Sequence, residues 1–437
     1  MIGEIRRDRI MSDITLFCLN YVSRALLQQA LSSISSLKPQ ITMVYLVNPP
    51  TAFDHQKYPY NMQTIAVPDR EIANALNSVL QSCDSTYALF LHNGDTLSPN
   101  VQPNRFTLSR DKAVITFKQA IGGQFLEQPF LVRTALFQEK QLPDIAHLPF
   151  REALFPAWLH NVETRQIVHT EDRLIKRPRA NTSRSEREKY EYMMKYRSAK
   201  AEIASPSLAI IMSAFNMTDY LETAIASCFL QHTQPDQLLM IDDGSEDDSY
   251  EKMLKWEKRE RVKVLKQKNY GKARALNALL PHVTADFVME LDADDWLDPD
   301  AMSIIKKKLQ RLPKNAAVLY GNFRRWKQQP TGALLYKTIA KGKPVRTASE
   351  LISYPFPLGP RIYRTALLKQ INGFPVTPFE NGRLYEDVSV LVKLMKQPDS
   401  IFCYEDFTVY NIREHPTSIT RLNRHKWNAF LPYADGD

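Results

Sequence analysis

Phe287-Val288-Met289-Glu290-Leu291-Asp292-Ala293-Asp294-Asp295 sets a short, mostly apolar run directly before three carboxylates. Such a run is how a strand buried on both faces of a parallel sheet is written. The acids then fall at its carboxyl end, where open α/β sheets gather their ligands. Working backwards, a helix over Ala273–Leu280 precedes it, and before that comes the strand Val262-Lys263-Val264-Leu265. Leu238-Leu239-Met240-Ile241 is an earlier strand, stopped by Asp242-Asp243-Gly244-Ser245. A helix from Tyr220 to Leu230, with Leu221, Ala224, Ile225 and Cys228 on one face, follows the strand Leu208-Ala209-Ile210-Ile211-Met212. Strands alternating with helices predict an α/β, Rossmann-like layer with a mainly parallel sheet.

The first half repeats the plan. Ile14–Leu19 ends at Asn20 as Ile210–Phe215 ends at Asn216. Ala73-Asn74-Ala75-Leu76-Asn77 matches Ala273-Arg274-Ala275-Leu276-Asn277 at an offset of 200 (273 − 73). The same offset lays Leu91-His92-Asn93-Gly94-Asp95 on Leu291-Asp292-Ala293-Asp294-Asp295 without a gap. Identities in register point to an internal duplication, whereas strand–helix rhythm alone would not. The expected organisation is a first domain over 1–177, a basic helical linker over 178–206 and a second domain over 207–437. Within the linker, Ser185 and Glu188 are placed to form a capping box for a helix running to about Ala201.

A chain of 437 residues suits two domains, and its 44% hydrophobic and 24% charged residues are those of a globular protein. Cys18, Cys83, Cys228 and Cys403 are scattered without metal-ligand spacing, as expected of reduced thiols. The start, Met1-Ile2-Gly3-Glu4-Ile5-Arg6-Arg7-Asp8, lacks the apolar core of a secretory signal, and no apolar run reaches membrane-span length. A cytoplasmic protein is the expectation. The net charge of +9 concentrates at Arg173, Lys176, Arg177, Arg179, Arg184, Arg187 and Lys189. That stretch is either a solvated linker face or a peripheral contact with anionic lipid or an anionic acceptor. No nucleic-acid-binding module accompanies it.

Asp292, Asp294 and Asp295 crowd one loop, and crowded carboxylates are held together most readily by a hard cation such as Mg²⁺ or Mn²⁺. The plainer alternative is an acidic turn capped by Asp298 or Asp300. Asp242 and Asp243 either accept hydrogen bonds from a base or ribose, or end a strand and cap a helix. Tyr385-Glu386-Asp387-Val388 opens an amphipathic helix whose acids suit the macrodipole; a carboxylate held there also suits a general base.

In this order and spacing the pieces resemble an inverting family 2 glycosyltransferase of the GT-A fold. The matching pieces are Ile211–Asn216, Ile241–Ser245, Asn269–Asn277, Leu291–Asp295, Gly373-Phe374, Glu386-Asp387 and Arg413–Ile419, together about half the chain. The resemblance implies that Ser213, Asn216, Asp242 and Asp243 hold the nucleotide, with Lys272 or Arg274 facing it and Asp292 at the ribose or donor sugar. It implies a divalent cation, Mn²⁺ or Mg²⁺, on Asp294 with Asp295 nearby and His415 approaching. Asp387, oriented by Glu386, becomes the base that activates an acceptor hydroxyl. The donor is then a nucleotide sugar, by family habit a UDP-sugar, carrying a hexosyl or N-acetylhexosaminyl group. The acceptor is a glycan, a polyol phosphate such as teichoic acid, or another surface or spore polysaccharide. Trp296, Trp326, Tyr354, Phe356 and Tyr363 are candidate sugar platforms or core residues, and Arg325, Arg361 and Arg364 candidate phosphate contacts. Oligomeric state is left open, a homo-oligomer included.

Under the 200-residue offset the first half loses this site: Gly94 stands for Asp294, His92 for Asp292, and Asn48-Pro49-Pro50 follows the strand where Asp242-Asp243-Gly244-Ser245 belongs. Arg151-Glu152 stands roughly where Glu386-Asp387 does. The first domain is therefore read as a degenerate, GT-A-like copy. A nucleotidyltransferase would need a Gly-rich phosphate loop, which Ser213-Ala214-Phe215-Asn216 is not. A non-catalytic glycan-binding or assembly protein is the other alternative, against which the retained acids speak.

Overall fold

A computed structural model of the protein describes residues 13–50, 53–99, 101, 105–121, 124–170, 174–176, 183–197, 205–354, 357–416, 418 and 422–434. Met1–Asp8, Arg173, Arg177, Arg179, Ala201, Phe356, Thr417 and Ile419 lie outside them. The chain divides into two compact units, one of Met1–Ile145 with Arg151–Arg197, the other of Ala146–Phe150 with Ser198–Asp437.

In the first unit, β1 (Ile14–Leu19), β2 (Ile41–Val47), β3 (Met62–Ile65) and β4 (Tyr87–His92) are parallel neighbours in the order β3-β2-β1-β4. A short β5 (Thr96–Leu97) follows, and β6 (Val114–Ile121), β7 (Gln124–Arg133) and β8 (Ile167–His169) extend the sheet as β4-β7-β6-β8. β7 runs antiparallel to both its neighbours. β9 (Ile175–Lys176) pairs with β5 alone. The helix Arg184–Met194 belongs to this unit rather than to a free connector, because Tyr192, Met193 and Tyr196 are buried and Arg197 reaches Glu127 at 3.3 Å. Its capping box is Ser183 with Glu186, two residues earlier than the sequence pattern suggested: Ser183 Oγ accepts the Glu186 amide and the Glu186 carboxylate accepts the Ser183 amide.

The second unit repeats the order. β10 (Leu208–Ala214), β11 (Gln237–Asp242), β12 (Val262–Lys266) and β13 (Phe287–Glu290) form the parallel block β12-β11-β10-β13. β14 (Trp296–Leu297), β15 (Ala316–Gln328), β16 (Leu334–Ala340), β17 (Ile362–Arg364) and β18 (Ile401–Glu414) continue it as β13-β17-β15-β18-β14, with β16 on β15. Alternate residues of β10 feed two cores. Leu208, Ile210 and Met212 pack with Leu221, Ala224 and Ile225. Ala209 and Ile211 pack with Ala273, Leu276 and Val390. Burial on both faces is why β10 carries no polar alternation.

The two units share local devices as well as strand order. Asn77 Nδ2 donates to Leu142 O at 2.9 Å while its Oδ1 accepts the Leu142 amide at 2.9 Å. Asn277 does the same with Phe374, at 2.7 and 2.8 Å. Arg133 pairs in register with Tyr87 and lies over its ring, as Arg364 does with Phe287. Asn20 and Asn216 both turn into the left-handed region, at φ 56° and 54°. All four cysteines are free, and burial pushes the Cys18 and Cys228 thiols up to about 12. Among the described residues no helix is long and apolar enough to cross a membrane.

Candidate active site

The carboxyl edge of the second unit's parallel strands is closed by a turn and a loop that hold each other. Gly244 takes φ +76°, and a Cβ there would lie 2.5 Å from the Asn269 amide, so the Asp242–Ser245 turn presses bare backbone against that loop. Asp242 is buried and accepts the Ser245 amide at 3.1 Å. Asn216 donates its amide to Ser245 Oγ at 2.9 Å and accepts the Glu246 amide at 2.9 Å. Ser213 sits in β10 opposite Ile241. Asp243 accepts from Gln267 Nε2 at 2.7 Å, the Tyr270 amide at 2.9 Å and the Gly271 amide at 2.9 Å. Three of its roughly four acceptor positions are thus filled from within the protein. Its first task is to fasten the Asn269–Gly271 loop.

Beside this loop lies an ion network. Lys272, opening the helix Lys272–Leu279, reaches Asp292 at 2.5 Å, Glu290 at 2.8 Å and Glu386 at 3.4 Å. Arg361, next to β17, reaches Glu290 at 3.0 Å, Asp387 at 3.4 Å and Asp292 at 3.8 Å. Glu290 is the buried centre; Arg361 and Lys272 outweigh its burial and hold its carboxyl down to about 2. Burial alone would lower Lys272, but Asp292, Glu290 and Glu386 keep it charged, well above its ordinary range. The side chains of Asp292, Asp294 and Asp387 keep 33%, 19% and 18% of their exposure, so they reach solvent while the frame holding them is buried. Four network acids face two cations, leaving the edge negative. A recess bounded by Glu290, Asp292, Phe323, Leu358, Arg361 and Tyr410 opens beside it.

The third part joins the β13 loop to the end of β18. His415 Nε2 lies 2.9 Å from Asp294 Oδ2. The Tyr220 ring lies 4.7 Å from His415, and Arg413 sits over Tyr220 while donating to Asp294 O at 2.9 Å. Asp295 turns inward, accepting the Arg413 amide at 2.9 Å. Its burial, with Asp294 and Asp292 close by, holds its carboxyl well above the usual range. Among the described residues no three His, Cys, Asp or Glu side chains form a set able to hold a metal ion. Asp294 and His415 offer two ligands. The Asp294 carboxylate and the His415 imidazole are the side chains there that would suit a hard cation, one whose remaining oxygens would come from a bound phosphate.

Glu386 gives a pH prediction. Burial, with Asp387 and Glu290 nearby and Lys272 opposing them, raises its carboxyl from 4.5 to about 7. An acid raised in the fold binds its proton more tightly there than in the unfolded chain. Its contribution to stability is full below about 4.5 and is lost as pH rises through about 7. Urea midpoints of the wild type should therefore fall between about pH 5 and pH 8 more than those of Glu386→Gln. Parallel curves for the two proteins would contradict this environment for Glu386.

The sequence-derived site residues collect here, with changed partners for several. Lys272 is engaged by acids, and Arg274 donates to Tyr270 O and to Asn381. Arg361 faces Glu290, Arg364 binds Ala316 O and Pro313 O, and Arg325 pairs with Glu414, so each of the three has partners within the protein. Trp296, Trp326 and Tyr363 are core residues, and Tyr354 packs at the core's edge. Sequence reasoning gave no role to Glu290, Tyr410 or Tyr220, and none to Arg413 beyond its place in the matching piece Arg413–Ile419. The one available signal was a carboxylate, Glu290, ending an otherwise apolar strand.

In the first unit three positions matching the ion network are apolar. Phe90, Ile72 and Phe130 are buried at the positions matching Glu290, Lys272 and Arg361. Phe155 packs on Phe90 at 5.1 Å and on His92 at 5.3 Å. Asn48 bonds Val67 through both its side-chain atoms, closing the loop as Asp243 does without a carboxylate.

Residues 209–361 match the family described as Glycosyl transferase family 2. Glycosyltransferase GlyA of Streptococcus pneumoniae is 21% identical over 238 residues, covering 52% of this chain and 33% of that protein. An uncharacterized glycosyltransferase of Haemophilus influenzae is 36% identical over 121 residues, 27% of this chain and 47% of that protein. The chain thus spans less than half the length of these curated relatives. Among solved structures, S. aureus TarS 1–349 in complex with UDP superposes with a TM-score of 0.37 at 20% identity, covering 48% of this chain and 61% of that one.

Proposed function

We propose that the protein, whose residues 209–361 match the Glycosyl transferase family 2 description, moves a sugar from a nucleotide-diphosphate donor to an acceptor hydroxyl, inverting the anomeric carbon. The observation that carries this reading is the shared frame: Glu290, Lys272 and Arg361 together fix Asp292 and Asp387, two partly exposed carboxylates of one edge. Asp387 takes the acceptor proton. Arg361 holds that carboxylate at 3.4 Å, and Asp292, which lines the recess, faces the donor ribose or sugar. The Asp242–Ser245 turn and the Asn269–Gly271 loop, fastened by Asp243, form the nucleotide's side of the site. Asp294 and His415 would hold a divalent cation, Mn²⁺ or Mg²⁺, which when bound offsets charge on the leaving diphosphate. Positioning and a single proton abstraction are the residues' share of the chemistry. The acceptor class proposed is a glycan or polyol phosphate. The first unit, with an aromatic cluster at the matching edge, is proposed to be a duplicated copy that turns over no donor.

Calorimetry with UDP, GDP and CDP tests the donor side. UDP should bind in preference to the other two, and Mn²⁺ should tighten it at least about ten-fold in the wild type. Asp294→Ala should erase the Mn²⁺ effect while the protein stays folded. Equal binding of all three nucleotides, or an undiminished Mn²⁺ effect in that variant, would sink the donor and cation assignments respectively.

A further inference from the structure

Two loops meet across the site through a reciprocal pair of arginine forks. Arg383 donates Nη1 to Asn269 Oδ1 and Nη2 to Asn269 O, the latter at 2.8 Å. Arg274 returns the arrangement, donating to Asn381 O at 2.8 Å and to Asn381 Oδ1 at 3.1 Å. Each guanidinium thus takes both the main-chain and the side-chain oxygen of an asparagine on the facing loop. Planar forks of this kind fix direction as well as distance. Gly271, at φ +94°, leaves room for this: a Cβ there would meet Arg383 Cγ at 3.0 Å.

Each loop is also tied to the chemistry. The Asn269–Gly271 loop hangs from the Asp243 carboxylate through two amides. The facing loop holds Glu380, Asn381 and Tyr385 in the left-handed region, at φ 47°, 56° and 61°, with no glycine at those positions. Such backbone persists only where its surroundings over-determine it. The surroundings are the two forks on one side and the C-terminal segment on the other. Tyr385 lies 4.6 Å from the Phe430 ring and 5.2 Å from that of Trp427, and its hydroxyl donates to Asn423 O at 2.8 Å. Tyr385 immediately precedes Glu386 and Asp387, and the helix they open has no side-chain cap. The loop therefore sets where that helix begins together with the Lys272–Glu386 and Arg361–Asp387 pairs.

We propose that these forks transmit the position of the nucleotide-side loop to the start of the helix bearing Asp387, making Arg383 a positioning residue; this rests on the transferase reading above. Occupancy at Asp243's loop then aligns the base, so a donor-free site holds Asp387 less firmly.

Hydrogen exchange on the full chain, with UDP and Mn²⁺ as the probe, reads the coupling directly. In the wild type, binding should slow exchange at Asn269–Gly271 and also at Glu380–Val388. In Arg383→Ala the first protection should remain and the second disappear. Turnover of a nucleotide sugar should fall by about ten-fold in kcat, with KM for the donor within about three-fold. Arg383→Lys, keeping one donor, should recover part of kcat. Asn269→Ala, which keeps the loop carbonyl, should move kcat in the same direction by less, and gives the answer should Arg383→Ala fold poorly. Protection at Glu380–Val388 surviving in Arg383→Ala, or an unchanged kcat, overturns the coupling. No UDP-dependent protection anywhere in the wild type would instead bring down the transferase reading, and the clamp with it.

Discussion

Asp387→Asn is expected to slow nucleotide-sugar turnover by roughly 10³-fold, the range a general base supplies. The substitution is close to isosteric. An amide oxygen still accepts the Val388 amide, which lies 2.9 Å from Asp387 Oδ1, and Arg361 keeps its bond to Leu358 O at 3.1 Å. The thermal midpoint should therefore change by no more than a few degrees, which separates lost chemistry from lost structure. Release of nucleoside diphosphate, followed with and without acceptor, is the measurement. A rate within ten-fold of the wild type would remove the base assignment. Because the matching edge of the first unit is filled by Phe90, His92 and Phe155, no second activity should remain beneath the lost one.

Glu290→Gln should be the most damaging single change to stability. The side chain keeps its shape but loses the buried charge that compensates Lys272 at 2.8 Å and the nearly buried Arg361 at 3.0 Å. Removing one partner of a buried ion pair costs about 3–5 kcal/mol, because the other is left uncompensated. For a unit of this size that is a drop of roughly 6–20 °C in midpoint. Equilibrium urea melts and calorimetry both read it. A loss below about 1 kcal/mol would mean that Asp292, Asp387 and Glu386 suffice for both cations. Nucleotide affinity should suffer as well, since Asp292 shares the same lysine.

The sequence carried the parallel block and the 200-residue offset because both rest on local pattern. Short apolar runs stop at acids, and Asn77 and Asn277 fall in register. The reason for that register is visible only in three dimensions, where each asparagine bridges to a segment more than sixty residues away. The acids of the site were legible for the same reason, being clustered in the chain. Their partners were not. Glu290 and Arg361 are 71 positions apart, and nothing in either neighbourhood announces the other. Lys272 or Arg274 is read toward the nucleotide on the strength of their motif; the three acids around Lys272, from two separate segments, are visible only in the fold. Asp243 reads as a ligand-binding carboxylate, and the fold adds what its surroundings in the chain do not announce, bonds to backbone amides of a loop 27 residues on.

The aromatic filling of the first unit has a consequence for how heat divides the chain. An active site is a standing tax on stability: its charges are kept desolvated and its backbone awkward because turnover requires it. On the reading proposed for the first unit, a copy released from turnover is free to trade them for dispersion and apolar burial, and Phe90, Ile72 and Phe130 are buried there. Such a half has little left to gain from a ligand. On heating, the first unit should outlast the second, and adding nucleotide should narrow the gap from one side only.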